Sequence, residues 1–265
     1  MSEQKLPMKS KDIIFALDDL IQENTTNKNR IYLHWWKENE KSRLRRSSQR
    51  YAWINKFVPK SSTPLKVLDM GTGFGHLAIL IKRLYHHDVI SADVETTIEL
   101  KKRFHREGIP FHKCDFLKFP LPFHDNYFNV VLFTDALFLI PLDPRQVLRE
   151  FNRILKNGGL LILDVLNYLS LYNRIRTFFG IEKTDWNSPY PHYHEYTAKE
   201  ISNLLVQTDF TAKQMVLCNT TTSEDISFHY PINSLAFYLF EAISRLSPNL
   251  KDTVIAIGQK NSITG

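Results

Sequence analysis

Residues 65–75, LKVLDMGTGFG, are the stretch that decides the fold of this chain. The first six, four of which are apolar, are typical of a buried strand, and three of the chain's nine glycines, Gly71, Gly73 and Gly75, follow within five residues. Glycine suits this place because a tight strand-to-helix turn needs positive φ angles and room for a ligand against the backbone. A helix predicted to begin at His76 would point its free N–H groups at the turn and favour an anionic ligand.

Outward from this stretch, short apolar runs alternate with amphipathic segments of helical period. The pattern predicts strands at residues 88–93, 109–114, 127–133 and 160–165, helices at 76–85, about 98–104 and 144–155, and a glycine turn at 158–159. Later elements are a helix at 197–207, a strand at 212–217, a helix near 235–246 and a final strand at 252–258. Because alternating strands and helices favour βαβ crossovers, we predict an α/β protein with a doubly wound, mostly parallel sheet.

The chain is predicted to divide near residue 62. Residues 1–62 have helical periodicity and no strand pattern, which indicates a helical N-terminal extension or cap. Residues 63–265 carry the alternating pattern and are predicted to form one Rossmann-like domain. Within it, a stretch at about 166–196 that ends in aromatic and histidine residues is predicted to be an insertion.

The composition is that of a globular protein. With 265 residues, 43% of them hydrophobic and 23% charged, the chain can bury a full core, which argues against disorder. Its two cysteines, Cys114 and Cys218, cannot build a disulfide framework, and no Cys/His cluster has zinc-binding spacing. No apolar run approaches the roughly 18 residues of a membrane helix, and the first residues lack a secretory signal pattern. We therefore expect a cytoplasmic protein without a metal site or a membrane span.

The net charge of +6 is concentrated near the start of the chain. Residues 1–60 hold 13 Lys+Arg and 7 Asp+Glu, and residues 41–60 hold seven basic side chains and no acid. Such a run can bind an anionic partner, or it can be the solvated face of a helix. We favour the solvated face because no RNA-binding signature accompanies the charge.

An acid follows the glycine turn at a distance that suggests a nucleoside ligand. Asp93 ends the second predicted strand 18 residues after Gly75, where a carboxylate can accept hydrogen bonds from two ribose hydroxyls. The dinucleotide fingerprint G-x-G-x-x-G requires a third glycine at the position occupied by His76, so a nicotinamide cofactor is disfavoured. An adenosine compound with an anionic end fits both features.

The motif that is present, G-x-G-x-G after VLDM, resembles motif I of the class I S-adenosylmethionine-dependent methyltransferases. The resemblance covers residues 65–165 and continues more loosely to the end, with LPFHDNYFNVV at 121–131 and LKNGG at 155–159 matching further family runs. It implies the Rossmann-like fold of that family, with an antiparallel last strand, S-adenosyl-L-methionine as cofactor and methyltransferase activity.

The resemblance also assigns residues to the cofactor. Gly71, Gly73 and Gly75 would form the turn around it, and Asp93 would bind its ribose. Asp115 and Phe116 would hold the adenine. Asp69 would support the methionine end of the cofactor through water, and Thr134 would lie beside that end.

Two positions depart from the family pattern. Asn129 stands where Asp is usual, and we expect that position to be structural. Many relatives carry Glu and His shortly after strand four, where this chain has Phe138 and Leu139. A catalytic base therefore cannot be transferred to these positions, and Asp135 is better explained by capping or cofactor support.

The remaining candidates for a base lie in the loop at residues 186–196. His192 and His194 are weak catalytic candidates, because histidine titrates near neutral pH and the loop could cover the site. The opposing interpretation is a packed loop whose histidines bind backbone groups. Thr197 and Glu200 form a predicted capping box at the start of the next helix, which lowers the functional weight of this end of the loop.

The sequence favours a methyltransferase that transfers a methyl group to a small or medium-sized acceptor by in-line displacement. One alternative is an RNA or other anionic substrate, bound by the basic residues Arg43, Arg45, Arg46 and Arg50. A second alternative is a non-catalytic cofactor-binding subunit, which the missing base leaves open.

Overall fold

The computed structural model describes residues 9–17, 20, 40–180, 192–220, 239 and 242–262. Seven strands form one sheet in the order β3-β2-β1-β4-β5-β7-β6. The strands are β1 Lys66–Met70, β2 Asp88–Asp93, β3 Phe111–Lys113, β4 Phe128–Thr134, β5 Leu155–Leu166, β6 Phe210–Cys218 and β7 Thr253–Lys260.

The first five strands are parallel and β7 is antiparallel to both of its neighbours. In β1, Met70 pairs with Ala92 of β2 and with Phe133 of β4, so the carboxyl ends of these three strands lie at one edge. The predicted fold class, a mostly parallel doubly wound sheet with an antiparallel last strand, is confirmed.

Seven α-helices have described bounds. They are α1 Ser10–Ala16, α2 Glu40–Asn55, α3 His76–Tyr85, α4 Ile98–Glu107, α5 Arg145–Ile154, α6 Leu171–Phe178 and α7 Ala198–Gln207. The predicted capping box of α7 is present: Glu200 N donates to Thr197 Oγ1 at 3.1 Å, and Thr197 N donates to Glu200 Oε2 at 2.7 Å.

The N-terminal helices share a hydrophobic core with one face of the sheet. Ile13 and Leu17 of the first helical segment and Ile54 of α2 are fully buried in the same cluster as Val67 and Ile79. This packing orients α2 toward the edge where β4 and β5 end. The division of the chain near residue 62 remains a prediction.

Two elements differ from the sequence-based expectation, and two others are described only in part. The predicted glycine turn at 158–159 lies inside the span of β5, where the pairing with β4 is irregular and Gly158 has a φ of 73°. Helix α6 lies within the predicted insertion and begins where Ser170 Oγ accepts from Asn173 N. Of the predicted helix near 235–246, only residues 239 and 242–246 are described, and residues 181–191 of the insertion lie outside the described residues.

Candidate cofactor and acceptor site

The strand order brings the predicted cofactor residues together along one edge of the sheet. Strands β3, β2, β1 and β4 are successive neighbours. Asp115 follows β3, Asp93 ends β2, the glycine turn follows β1, and Thr134 ends β4. From β1 the chain runs outward through β2 to β3 and then returns to β4 on the other side of β1. Such a reversal of strand order is a switch point, which forms a ligand-binding crevice.

The glycine turn leaves open space on its outer side. Gly73 has a φ of 54°, and a Cβ placed there would meet nothing within 4 Å. Gly75 has a φ of 74°, but a Cβ there would lie 2.5 Å from the Phe104 ring, so this glycine is required for packing against α4. The turn therefore fits a ligand that approaches the backbone at Gly73.

Asp93 connects this turn to the end of β2. Its Oδ2 accepts from Gly73 N at 2.9 Å and its Oδ1 accepts from Val94 N at 2.7 Å. Burial raises the pKa of Asp93, and these backbone hydrogen bonds oppose the increase. Each carboxylate oxygen can accept a second hydrogen bond, as the two hydroxyls of a ribose require.

Asp69 lies inside the turn rather than on its surface. It is 2% exposed, and Thr72 donates its hydroxyl to Asp69 Oδ2 at 2.6 Å. Burial raises the pKa of Asp69 to about 6, the Thr72 hydrogen bond lowers it, and the Asp93 carboxylate raises it further. Asp69 thus supports the turn directly and can act on a ligand only through an intervening group.

The adenine-side candidates lie at the other end of the edge. Asp115 is partly exposed and its Oδ1 accepts from Leu117 N at 3.0 Å. Phe116 packs edge-to-face on Phe133 of β4, with ring centroids 5.2 Å apart. A half-buried ring beside a carboxylate fits the recognition of an aromatic base that carries an amino group.

His76, which breaks the dinucleotide fingerprint, packs the N-terminal extension onto the turn. Its ring is 1% exposed, stacks on Phe74 at 5.7 Å and meets Tyr51 of α2 edge-on at 6.5 Å. A glycine at this position would remove the contact between α2 and the turn.

An ion triad that no local sequence pattern indicated lies at the ends of β4 and β5. Arg50 of α2 places Nη1 2.8 Å from Asp135 Oδ2 and Nε 3.0 Å from Asp164 Oδ2. Asp135 N also donates to Asp164 Oδ1 at 3.1 Å, and Asp135 has a φ of 53°. We call these three residues the Arg50 triad.

The two carboxylates of the Arg50 triad stabilise the charged form of the arginine. Although burial lowers the pKa of Arg50, the two carboxylates raise it above its ordinary value. Burial raises the pKa of Asp164 to about 6 and outweighs the opposing effect of Arg50. The charge of Arg50 is paired within the fold, which argues against its use for an anionic substrate. The side chains of Arg43, Arg45 and Arg46 lie outside the described part.

The two loop histidines occupy different environments. The His192 ring lies 4.0 Å from the Phe138 ring, centroid to centroid, and Tyr193 N donates to Phe138 O at 2.9 Å. His194 is instead exposed and lies 3.4 Å from Glu200 Oε1 at the start of α7. The structure therefore brings His192 beside the loop after β4 and keeps His194 with the capping box.

Other classes of site are absent from the described residues. Among the residues with a described position, no helix is long and apolar enough to cross a membrane. Within the same ranges, no group of three or more His, Cys, Asp or Glu side chains could hold a metal ion. Cys114 and Cys218 are both buried free thiols.

Three features therefore lie along one edge of the sheet: a glycine turn open at Gly73, an acid at the end of β2 and an acid after β3. Residues 68–163 match the model of the family described as "Methyltransferase domain". This part of the chain therefore matches a methyltransferase domain, and the class I S-adenosylmethionine-dependent methyltransferases that share this fold imply that cofactor.

Two curated proteins show which methyltransferases the chain is similar to. The ubiquinone/menaquinone biosynthesis C-methyltransferase of Desulfotalea psychrophila is 39% identical over 112 residues, which cover 40% of this chain and 44% of the relative. Ribosomal RNA-processing protein 8 of Mus musculus is 32% identical over 128 residues, covering 48% of this chain and 23% of the relative. The chain thus spans less than half the length of each.

The solved structures support the fold over a longer range. An S-adenosylmethionine-dependent methyltransferase from Mesorhizobium loti superposes with a TM-score of 0.55 at 15% sequence identity. The match covers 81% of this chain and 98% of that one. The architecture thus extends well beyond the residues that match the family model.

Proposed function

We propose that this protein is an S-adenosylmethionine-dependent methyltransferase that acts on a small or medium-sized acceptor. The observation that carries the proposal is the open backbone at Gly73 joined to the Asp93 carboxylate, on a domain that matches the methyltransferase family. When bound, the cofactor supplies an electrophilic methyl group on a cationic sulfur. The protein supplies alignment and exclusion of water.

Each part of the sheet edge has its own task in this proposal. Asp93 binds the ribose, while Asp115 and Phe116 hold the adenine. Asp69 keeps the turn in shape through Thr72 and supports the methionine end through water. Thr134 lies beside that end, one residue before the Arg50 triad. The reacting centre then lies above β4, close to the loop that carries His192.

The support for a small acceptor is threefold. The first curated relative is named as a C-methyltransferase of quinone biosynthesis, whereas the relative named for ribosomal RNA processing is less identical. Arg50 is committed to Asp135 and Asp164 and does not form part of a basic surface. Helix α2 and the segment at 192–196 contact the loops above β1 and β4, as a roof over a compact acceptor would.

We further propose that His192 is the base that removes a proton from the acceptor. Phe138 and Leu139 stand where relatives carry Glu and His, and His192 reaches the same place from a later loop. This placement favours an active enzyme over a non-catalytic cofactor-binding subunit. His194 has a structural task at the start of α7.

A cytoplasmic location agrees with the state of the two cysteines. Burial raises the pKa of Cys114 to about 11 and that of Cys218 to about 12, so both remain neutral thiols at physiological pH. Unpaired buried thiols suit a reducing compartment.

The choice of cofactor can be tested directly by calorimetry. S-adenosylhomocysteine is expected to bind the purified chain with a stoichiometry of one, because the turn and Asp93 suit an adenosyl compound. NAD is expected to give no comparable heat, because His76 occupies the position of the third dinucleotide glycine. Binding of NAD in place of S-adenosylhomocysteine would overturn the proposed function.

The role of Asp93 is tested by the same measurement on Asp93→Ala. We expect S-adenosylhomocysteine to bind about 2–4 kcal/mol more weakly, because two charge-assisted hydrogen bonds to the ribose are lost. Asp88→Ala is the matched control, since Asp88 begins the same strand at its opposite end and its side chain is 63% exposed. Equal affinities for the two variants would show that the ribose does not lie at Asp93.

A further inference from the structure

The Arg50 triad lies next to the part of the edge assigned to the methionine end of the cofactor. Asp135 directly follows Thr134 at the end of β4. The next residue, Ala136, lies against the glycine turn, since a Cβ on Gly71 would be 3.6 Å from the Ala136 Cβ. The loop that carries Asp135 therefore borders the crevice between β1 and β4.

The triad carries a net negative charge and lies next to the loop that borders this crevice. It combines one guanidinium with two carboxylates. The side chain of Asp164 is 2% exposed and lies at the inner end, whereas that of Asp135 is 34% exposed. Arg50 binds one oxygen of Asp135, which fixes the carboxylate in a turn with a left-handed backbone.

We infer that Asp135, oriented by Arg50, is a specificity-determining residue that favours the sulfonium form of the cofactor over the neutral thioether product. The inference rests on the proposed function. Methyl transfer breaks the bond between sulfur and the methyl carbon, leaves the electron pair on sulfur and forms the new bond at the acceptor. The positive charge on sulfur disappears in this step, so a fixed carboxylate nearby stabilises the cofactor and not the product.

Asp135→Asn tests the inference, because it removes one charge and keeps a side chain that tolerates positive φ. Calorimetry measures the affinities for S-adenosylmethionine and for S-adenosylhomocysteine, and their ratio should be about tenfold lower in the variant than in the wild type. A change of this size is expected when one charge is removed from a partly solvated site. Asp135→Gly, which also suits this backbone, should lower the ratio in the same way. Asp143→Asn is the control, because Asp143 pairs with exposed Arg145 on the same connection, and its ratio should match the wild type.

The outcomes separate this inference from the proposed function. If both ligands bind the wild type and the ratio is unchanged in Asp135→Asn and Asp135→Gly, the inference is wrong while the function stands. A similar fall in Asp143→Asn would also overturn it, because the effect would then be general electrostatics. If neither ligand binds the wild type, the proposed function itself fails.

Discussion

Replacement of His192 by Asn is expected to lower kcat about 100- to 10,000-fold, which is the usual contribution of a general base. The imidazole can take up a proton at neutral pH, whereas the amide of asparagine cannot. Its place is set by two contacts, the 4.0 Å ring contact with Phe138 and the Tyr193 N to Phe138 O hydrogen bond. Because Asn is polar and smaller, the loop can keep its main-chain bond in the variant. The loss is then one of chemistry and not of folding.

The measurement is transfer of a labelled methyl group to the acceptor fraction that the wild-type chain labels in a cell extract. His194→Asn is the matched control, since this neighbouring histidine pairs with Glu200 at the start of α7. We expect its kcat to remain near the wild-type value. A comparable loss in both variants would assign the effect to the loop as a whole, and no loss in His192→Asn would exclude it as the base. Unchanged affinity for S-adenosylhomocysteine in both variants would show that the cofactor site is intact.

Replacement of Arg50 by Met is expected to lower the free energy of unfolding by about 3–5 kcal/mol, the cost of breaking a buried ion pair. The variant would leave Asp164, which is 2% exposed, without its cation. Methionine fills part of the same volume, so the charge and not a cavity dominates the loss. Denaturant unfolding at pH 7.5 measures the effect. Arg145→Met is the control, because Arg145 forms an exposed ion pair with Asp143, and its unfolding midpoint should stay close to the wild type's.

The loss in Arg50→Met should also depend on pH. Burial raises the pKa of Asp164 to about 6 even beside Arg50, above the ordinary value near 4. The folded state therefore binds a proton at this site more tightly than the unfolded state does, so stability falls as pH rises through this interval. In Arg50→Met the cost should be largest above pH 6 and should shrink toward pH 4, where the carboxyl is protonated. A deficit of equal size at pH 4 and pH 7.5 would mean that lost packing, not charge, destabilises the variant.

The contacts of helix α2 give the N-terminal extension a part in the proposed site. Arg50 and Tyr51 lie on the same helix, and they contact the loop after β4 and the start of α3 respectively. A solvated basic face, which the sequence favoured for residues 41–60, does not describe this end of α2. The described part of the extension packs on the sheet core.

Elements whose formation depends on residues adjacent in the chain were predictable from the sequence. Strand β2 and helix α3 have the predicted bounds, and the capping box of Thr197 and Glu200 is present, because apolar period and capping chemistry are local. The helix α6 in the predicted insertion was missed, since its aromatic and basic residues show no clear apolar stripe. The resemblance to the methyltransferase family supplied the antiparallel last strand, which periodicity alone could not indicate.

The sequence by itself determined the order of strands and helices, the glycine turn and the acid at the end of β2, because each depends on a short stretch of chain. Only the tertiary structure decided which distant residues lie together at the carboxyl edge of the parallel strands. Arg50 and Asp164 are 114 positions apart in the chain, and His192 reaches Phe138 from a loop beyond β5. No local sequence pattern identifies the contact partner of a charged residue or of a loop histidine, because that partner is determined by how the sheet and the helices pack. The physical reason is that burial and pairing of charge arise from the packed fold as a whole.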